Sequence, residues 1–132
     1  NVAMAQRLVR KLCEECREAA SPGKEDHAKI THILSSFPKK IPTPQEKEWR
    51  YYHPRKGGCA RCSEVGYKGR IGVFEIILMT DELEPLILKT PPESELKKAA
   101  FAQGQITMLQ DGLLKVLAGI TDLPELERVV GE

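Results

Sequence analysis

A mainly α chain with a small β element is predicted for these 132 residues. Three observations predict it. One run, residues 70–79, is β-branched and apolar, the best strand in the chain. After Thr80 the apolar residues fall at helical spacing between caps and glycines. The four cysteines form two C-x-x-C pairs, and aromatic residues make up only 5% of the chain. Leu, Ile and Val must therefore supply the core, and a covalent or metal cross-link would help so small a core.

The elements follow in order. Residues 2–19 read as a helix, with Leu8 and Leu12 four apart and Val9 widening the stripe. No cap precedes Val2, so residue 1 is expected to be a cut site, engineered rather than natural. Ser21-Pro22-Gly23 ends that helix. Residues 24–36 form a second one, with Ile30, Ile33 and Leu34 on one face. Phe37 to Pro44 is a proline-rich loop. Trp49, Tyr51 and His53 alternate with Arg50 and Tyr52, which hints at a strand, and Gly57-Gly58 makes a turn. Past the 70–79 strand, Thr80 caps a short helix 81–89 that Pro85 would distort. Thr90-Pro91-Pro92-Glu93 fits a capping box opening a helix to about Gln103, closed by Gly104. Thr107 caps the next helix, in which Leu109, Leu113, Val116 and Leu117 share a face, and Gly119 ends it. Thr121 or Asp122 caps the last helix, with Leu126, Val129 and Val130 inward.

Charge is balanced in total, +1, and divided along the chain. Residues 39–70 carry nine basic against three acidic residues, and residues 71–132 carry five against eleven. The balance excludes a polyanion binder driven by global charge. The basic middle could face phosphates, an acidic partner or lipid headgroups, or it could be neutralised by the acidic half. No apolar run approaches the length of a membrane span, and no signal peptide is evident.

The cysteines carry the chemistry. Cys13-Glu14-Glu15-Cys16 and Cys59-Ala60-Arg61-Cys62 lie 42 residues apart. Two thiolates three residues apart reach one ion across a tight turn, and two such pairs complete the closed tetrahedral S₄ site of structural zinc. Lys11, Arg17 and Arg61 would offset the net charge of such a centre. A disulfide needs an oxidising compartment. A thioredoxin-like motif would leave the second pair unexplained. An iron–sulfur cluster takes the same four thiolates, and metal analysis separates it from zinc. His27, His32 and His53 read as ordinary, partly exposed histidines. There is no G-x-x-x-x-G-K-[ST], since Gly23-Lys24 is followed by Glu25, and no H-E-x-x-H, G-x-S-x-G or G-x-G-x-x-G. A closed S₄ site leaves no position for a catalytic water. The chain by itself is expected to catalyse nothing.

Two stretches together resemble a known family. The first is Ala5-Gln6-Arg7-Leu8-Val9-Arg10-Lys11-Leu12-Cys13-x-x-Cys16, and the second is Gly58-Cys59-x-x-Cys62-x-x-x-Gly66-Tyr67-x-Gly69-Arg70-Ile71-Gly72-x-x-Glu75. They are similar to the C-terminal part of the ATPases of type II secretion and type IV pilus assembly. Ala99-Ala100, Gly104, Leu109, Asp111-Gly112-Leu113, Lys115-Val116 and Gly119-Ile120-Thr121 follow the family's helical tail. Residues 24–49 follow no recognised pattern.

The resemblance implies a zinc-binding tetracysteine subdomain over 1–79, holding a short β-hairpin and the end of a motor-core sheet. A C-terminal helical bundle over 80–132 would follow. It implies a hexameric parent at the cytoplasmic face of the inner membrane, using ATP and Mg²⁺ in an upstream RecA-like domain. That parent would drive a membrane platform protein, with neighbouring subunits as further partners, no membrane insertion and no nucleic acid expected. The absence of the tetracysteine element from most retraction ATPases favours the assembly or secretion branch. The resemblance also implies that Arg70 is nucleotide-linked, where the alternative is a surface or strand-pairing arginine. Gly66 and Gly69 are expected to shape a turn, Tyr67 to pack on the second knuckle, and Glu75 to pair with a basic residue across the strand. Gln6 and Arg7 are expected to face the motor core. A different class remains open: a zinc-ribbon nucleic-acid binder using the basic 39–70 stretch, with Trp49, Tyr51 and Tyr52 as stacking platforms.

Overall fold

The computed structural model describes residues 2–78 and 93–131. The expected helix 81–89, its Thr80 cap, the 90–92 part of the capping box and the expected 79/80 division lie outside the described residues. The described elements are β1 (Val2–Leu12), β2 (Glu18–Ala19), α1 (Lys24–Ser35), β3 (Tyr52–His53), β4 (Tyr67–Leu78), α2 (Glu93–Ala102), α3 (Met108–Leu117) and α4 (Leu123–Val130). Short 3₁₀ turns cover Glu46–Glu48 and Ala60–Cys62.

The first stretch is a strand, not the helix predicted for 2–19. β1 pairs antiparallel with β4 along nearly its whole length, from Val2 opposite Leu78 to Val9 opposite Ile71, with an irregularity between Arg10 and Leu12. Helical spacing there is local and weak, whereas β4 is β-branched and supplies a complete ladder of backbone partners. Strand formation depends on such context more than on the residue's own preference. Extension also splits the supposed helical stripe. Val9 and Leu12 turn inward, fully buried or nearly so, while Leu8 stays 45% exposed on the opposite face. Leu12 recovers the inward side through the irregularity after Arg10. The β part is thus an eleven- and a twelve-residue strand, larger than the small element predicted.

The last helices pack on this hairpin and on α1 as well as on each other. Val9 and Val73 from the hairpin, Ile30 from α1, Leu113, Val116 and Leu117 from α3, and Leu123 and Leu126 in α4 make one buried cluster. A free-standing C-terminal bundle is accordingly only partly the right description. α3 and α4 cross closely at Gly112, where a Cβ would meet Leu126 Cδ1 at 2.1 Å. Thr107 caps α3 by accepting the Gln110 N–H, and Gln110 accepts the Thr107 N–H in return. Asp122, not Thr121, caps α4 by accepting the Glu125 N–H. α2 ends before Gly104 (φ +82°) and α3 before Gly119 (φ +80°), as their glycines predict.

The segment without a recognised pattern belongs to the same core. Ile30 of α1 is fully buried, and Trp49 and Tyr51 pack on the cluster around it. His27 bonds Glu46 at 2.8 Å and lies beside Trp49, Tyr51 donates to Asp26, and Lys29 reaches Glu127 at 3.3 Å. No described helix is long and apolar enough to cross a membrane.

Candidate metal centre

The two cysteine pairs sit on turns that the hairpin brings together. The first turn leaves β1 directly: the Cys13 N–H donates to Gly66 O at 3.0 Å, and the Arg17 N–H closes the turn on Cys13 O at 2.9 Å. The second is the 3₁₀ turn just before β4. There Cys59 O accepts from the Cys62 and Glu64 N–H groups, and Ser63 and Glu64 take left-handed φ of 57° and 64°. Gly66 follows with φ of 90°, the turn geometry expected of it, whereas Gly69 (φ 80°) lies within β4, at the irregularity in its pairing with β1. Because β1 and β4 are neighbours, the turn after one and the turn before the other must meet.

All four Sγ atoms lie within 4.8 Å of one another. Cys13 to Cys59 is 3.8 Å, Cys16 to Cys62 is 3.9 Å, and Cys59 to Cys62 is 3.8 Å. A tetrahedron with metal–sulfur bonds of about 2.3 Å has edges of about 3.8 Å, so the donor set fits one tetrahedral thiophilic ion. A disulfide would need about 2.0 Å, and all four cysteines are free. Cys13, Cys16 and Cys62 are buried, and Cys59 is partly exposed.

The surroundings prepare one sulfur to be a thiolate. Burial pushes the Cys62 thiol up, but the N–H groups of Cys59 and Gly66, each 3.2 Å from its sulfur, and the neighbouring thiols outweigh burial and bring it to about 6. Cys16 has no such donors. Burial and the three adjacent sulfurs push it up to about 12. Four ionised thiols at these distances need a cation among them, since like charges so close repel strongly.

Behind the cysteines lies a buried polar network that the sequence reading missed. Glu125, with its side chain wholly buried, accepts the Arg10 guanidinium at 2.8 and 3.1 Å and the Arg10 backbone N–H at 2.8 Å. It also accepts Arg128 at 2.8 and 3.0 Å. Arg10 lies 4.1 Å over the Tyr67 ring, and the Tyr67 hydroxyl donates to both oxygens of Asp122 at 2.9 Å. Burial, the charge of Asp122 and the hydrogen bond donated to it hold the Tyr67 hydroxyl well above its ordinary range. Tyr67 therefore packs under Arg10 and against the α4 cap. The only sequence signal for this network was Asp122 with Glu125 and Arg128 at one helical spacing.

The remaining site residues fall as follows. Arg70 is exposed on β4 opposite Arg10, and its side chain makes no hydrogen bond or ion pair among the described residues. Glu75 faces Ala5 in register, so no basic residue lies across the strand from it. It accepts the Met108 N–H at 3.1 Å, at the start of α3, where a carboxylate complements the helix dipole. Arg7 reaches Val129 O, and the Gln6 side chain lies over Gly72. Trp49 and Tyr51 pack on the core, and Tyr52 lies under Arg17, so each of the three rings has a neighbour to pack on.

A family model described as type II/IV secretion system protein matches residues 1–128. The type IV pilus assembly ATPase PilB of Thermus thermophilus is 36% identical over 124 residues, 93% of this chain and 13% of the relative. PilB of Pseudomonas aeruginosa is 35% identical over 130 residues, 98% of this chain and 21% of the relative. Type II secretion system protein E of Dickeya dadantii is 38% identical over 130 residues, 98% of this chain and 23% of the relative. The chain spans less than a quarter of the length of each of these curated relatives. With a match over nearly all of its residues, the chain belongs to the type II/IV secretion system protein family.

Proposed function

We propose that the four thiolates hold one zinc ion in a closed S₄ site, and that the chain is the metal-binding C-terminal part of a secretion or pilus-assembly ATPase. The observation that carries the metal reading is the set of sulfur–sulfur separations of 3.8–3.9 Å in a buried, doubly N–H-donated cluster. When bound, the ion supplies a cross-link between two chain turns and no open coordination position. The residues around it do the rest: Cys13 and Gly66 join the turns through their backbone, and Leu12 and Val9 bury the end of β1.

The relatives' names support a parent that is a pilus-assembly or secretion ATPase, and the resemblance to that family suggests the rest of the wider reading. In it, an upstream RecA-like domain of a hexameric parent hydrolyses ATP with Mg²⁺, and this module passes the resulting motion to a platform protein at the cytoplasmic face of the inner membrane. Arg70 is proposed as the nucleotide-linked residue. It is exposed and uncommitted, and an arginine fork binds two phosphate oxygens at once.

The test begins with metal analysis of protein purified without added metal. One zinc per chain, with four thiols unreactive until a chelator is added, is the expected result. Metal-free protein with four reactive thiols would overturn the site. In the full-length protein, Arg70→Ala should lower ATP hydrolysis by about tenfold or more while zinc content stays at one per chain. Unchanged hydrolysis removes Arg70 from the nucleotide site.

A further inference from the structure

We propose that Arg17 is a positioning residue through which the tetracysteine turn sets the junction between α3 and α4, so that filling the thiol site stiffens the start of α4. The proposal rests on the metal reading above. Arg17 follows Cys16 directly, and its backbone N–H closes the cysteine turn on Cys13 O. Its side chain leaves that turn and donates to Gly119 O, with the guanidinium 4.4 Å over the Tyr52 ring.

The receiving end is shaped for this contact. Gly119 has φ +80°, and a Cβ there would lie 2.8 Å from Tyr52 Cδ1 and 3.2 Å from Arg17 Nη1. Neither ring nor guanidinium could keep its place beside a larger residue. Tyr52 is itself held by β3, which pairs with β2 just after the cysteine turn. The strand entering the turn grips the same junction: the Leu12 N–H donates to Ile120 O at 2.8 Å, and the Thr121 hydroxyl donates to Arg10 O at 2.8 Å. Residues 119, 120 and 121 are thus held in sequence by chain on both sides of the first cysteine pair. The next residue, Asp122, is the α4 cap.

A turn whose two thiolates bind an ion shared with the second turn gives Arg17 a fixed base. A turn of two unligated thiols does not. The junction then loses its anchor from one side, and the cap of α4 loosens with it. Coupling of this kind is reciprocal, so whatever metal binding does to the junction, loss of the junction contact does to metal binding by the same factor.

Hydrogen exchange of the whole chain, read alongside metal content and thiol reactivity, tests this. Arg17→Met keeps most of the stem and loses the cation. Its amides at 119–126 should exchange about tenfold faster or more than wild type, while the paired amides of β1 and β4 keep their protection. Its metal affinity, measured by competition with a chelator, should fall by a similar factor. Arg17→Lys keeps a donor over the ring to a single carbonyl and should restore most of the protection. Chelation of wild type should speed exchange at 119–126. Wild-type exchange and metal retention in Arg17→Met would overturn the coupling. A wild-type chain with no metal and reactive thiols would overturn the site reading and the metal-dependent step together, a result distinct from intact metal with an indifferent Arg17.

Discussion

Glu125 shows how much a single side chain holds here. It is wholly buried and accepts four side-chain nitrogens of two arginines besides the Arg10 backbone N–H. Burial raises its carboxyl, but Arg128 and Arg10 outweigh burial and bring it from the ordinary 4.5 to about 2. A carboxyl lowered by folding adds stability that is full above pH 4.5 and is lost as pH falls toward 2. Asp122 acts in the opposite sense, since burial raises it. Glu125→Gln should therefore lower unfolding free energy by about 2 kcal/mol at pH 7, because it leaves Arg10 and Arg128 short of a charged acceptor. The difference between variant and wild type should shrink between pH 4.5 and 2. Urea unfolding at three pH values measures it, and a gap independent of pH would show that the charge of Glu125 is not what holds the network.

At the scale of elements, the sequence was legible where local chemistry decides the outcome. Thr107, Gly104, Gly119 and Asp122 set the ends of the last helices by capping and left-handed turns, which need no distant partner. Each cysteine pair was legible for the same reason, since C-x-x-C spacing is a property of a turn, while the β1–β4 pairing is what brings the two pairs together. β1 was not, because its identity comes from β4, more than fifty residues away in sequence. Leu8 and Leu12 satisfy a helical rule by coincidence, and only the ladder shows that they face opposite ways. The Arg10–Glu125 pair was illegible on the same grounds, being 115 residues apart. The α3–α4 crossing yields a prediction of its own. Gly112→Ala puts a methyl where Leu126 Cδ1 stands 2.1 Å away, with a fully buried Leu126 that has little room to move. The better helix propensity of Ala is outweighed, and the variant should lose about 2 kcal/mol in chemical unfolding. A gain in stability would mean that the helices can part at no cost.

At the scale of the whole molecule, the hairpin, α1, α3 and α4 share one cluster, and the first cysteine turn is tied to it by Leu12 N–H to Ile120 O and by Arg17 to Gly119 O. Removing the metal should therefore be felt beyond the turns. Chelation is expected to lower the thermal midpoint by about 10 °C or more, and re-addition of zinc should restore it. A midpoint indifferent to chelation would confine the centre to local order. The divided charge has a structural counterpart in part only. Glu127 meets Lys29 and Asp111 meets Lys115, yet neither partner comes from the basic 39–70 stretch.

The segment between the two cysteine pairs carries a practical consequence. Cys13 and Cys59 are 46 residues apart, but β2 and β3 already bring the chain back together at Ala19 and Tyr52, and α1 pins the intervening stretch through Ile30. The bend around Lys39, Lys40, Pro42 and Thr43 is exposed and lies outside the core cluster. The entropy of closing a loop rises slowly, by about 0.6 kcal/mol for each doubling of its length. A tag or reporter of ten to twenty residues inserted after Lys40 should then leave metal content and unfolding cooperativity intact, giving a handle on this module. An equal insertion after Ile30 should abolish both.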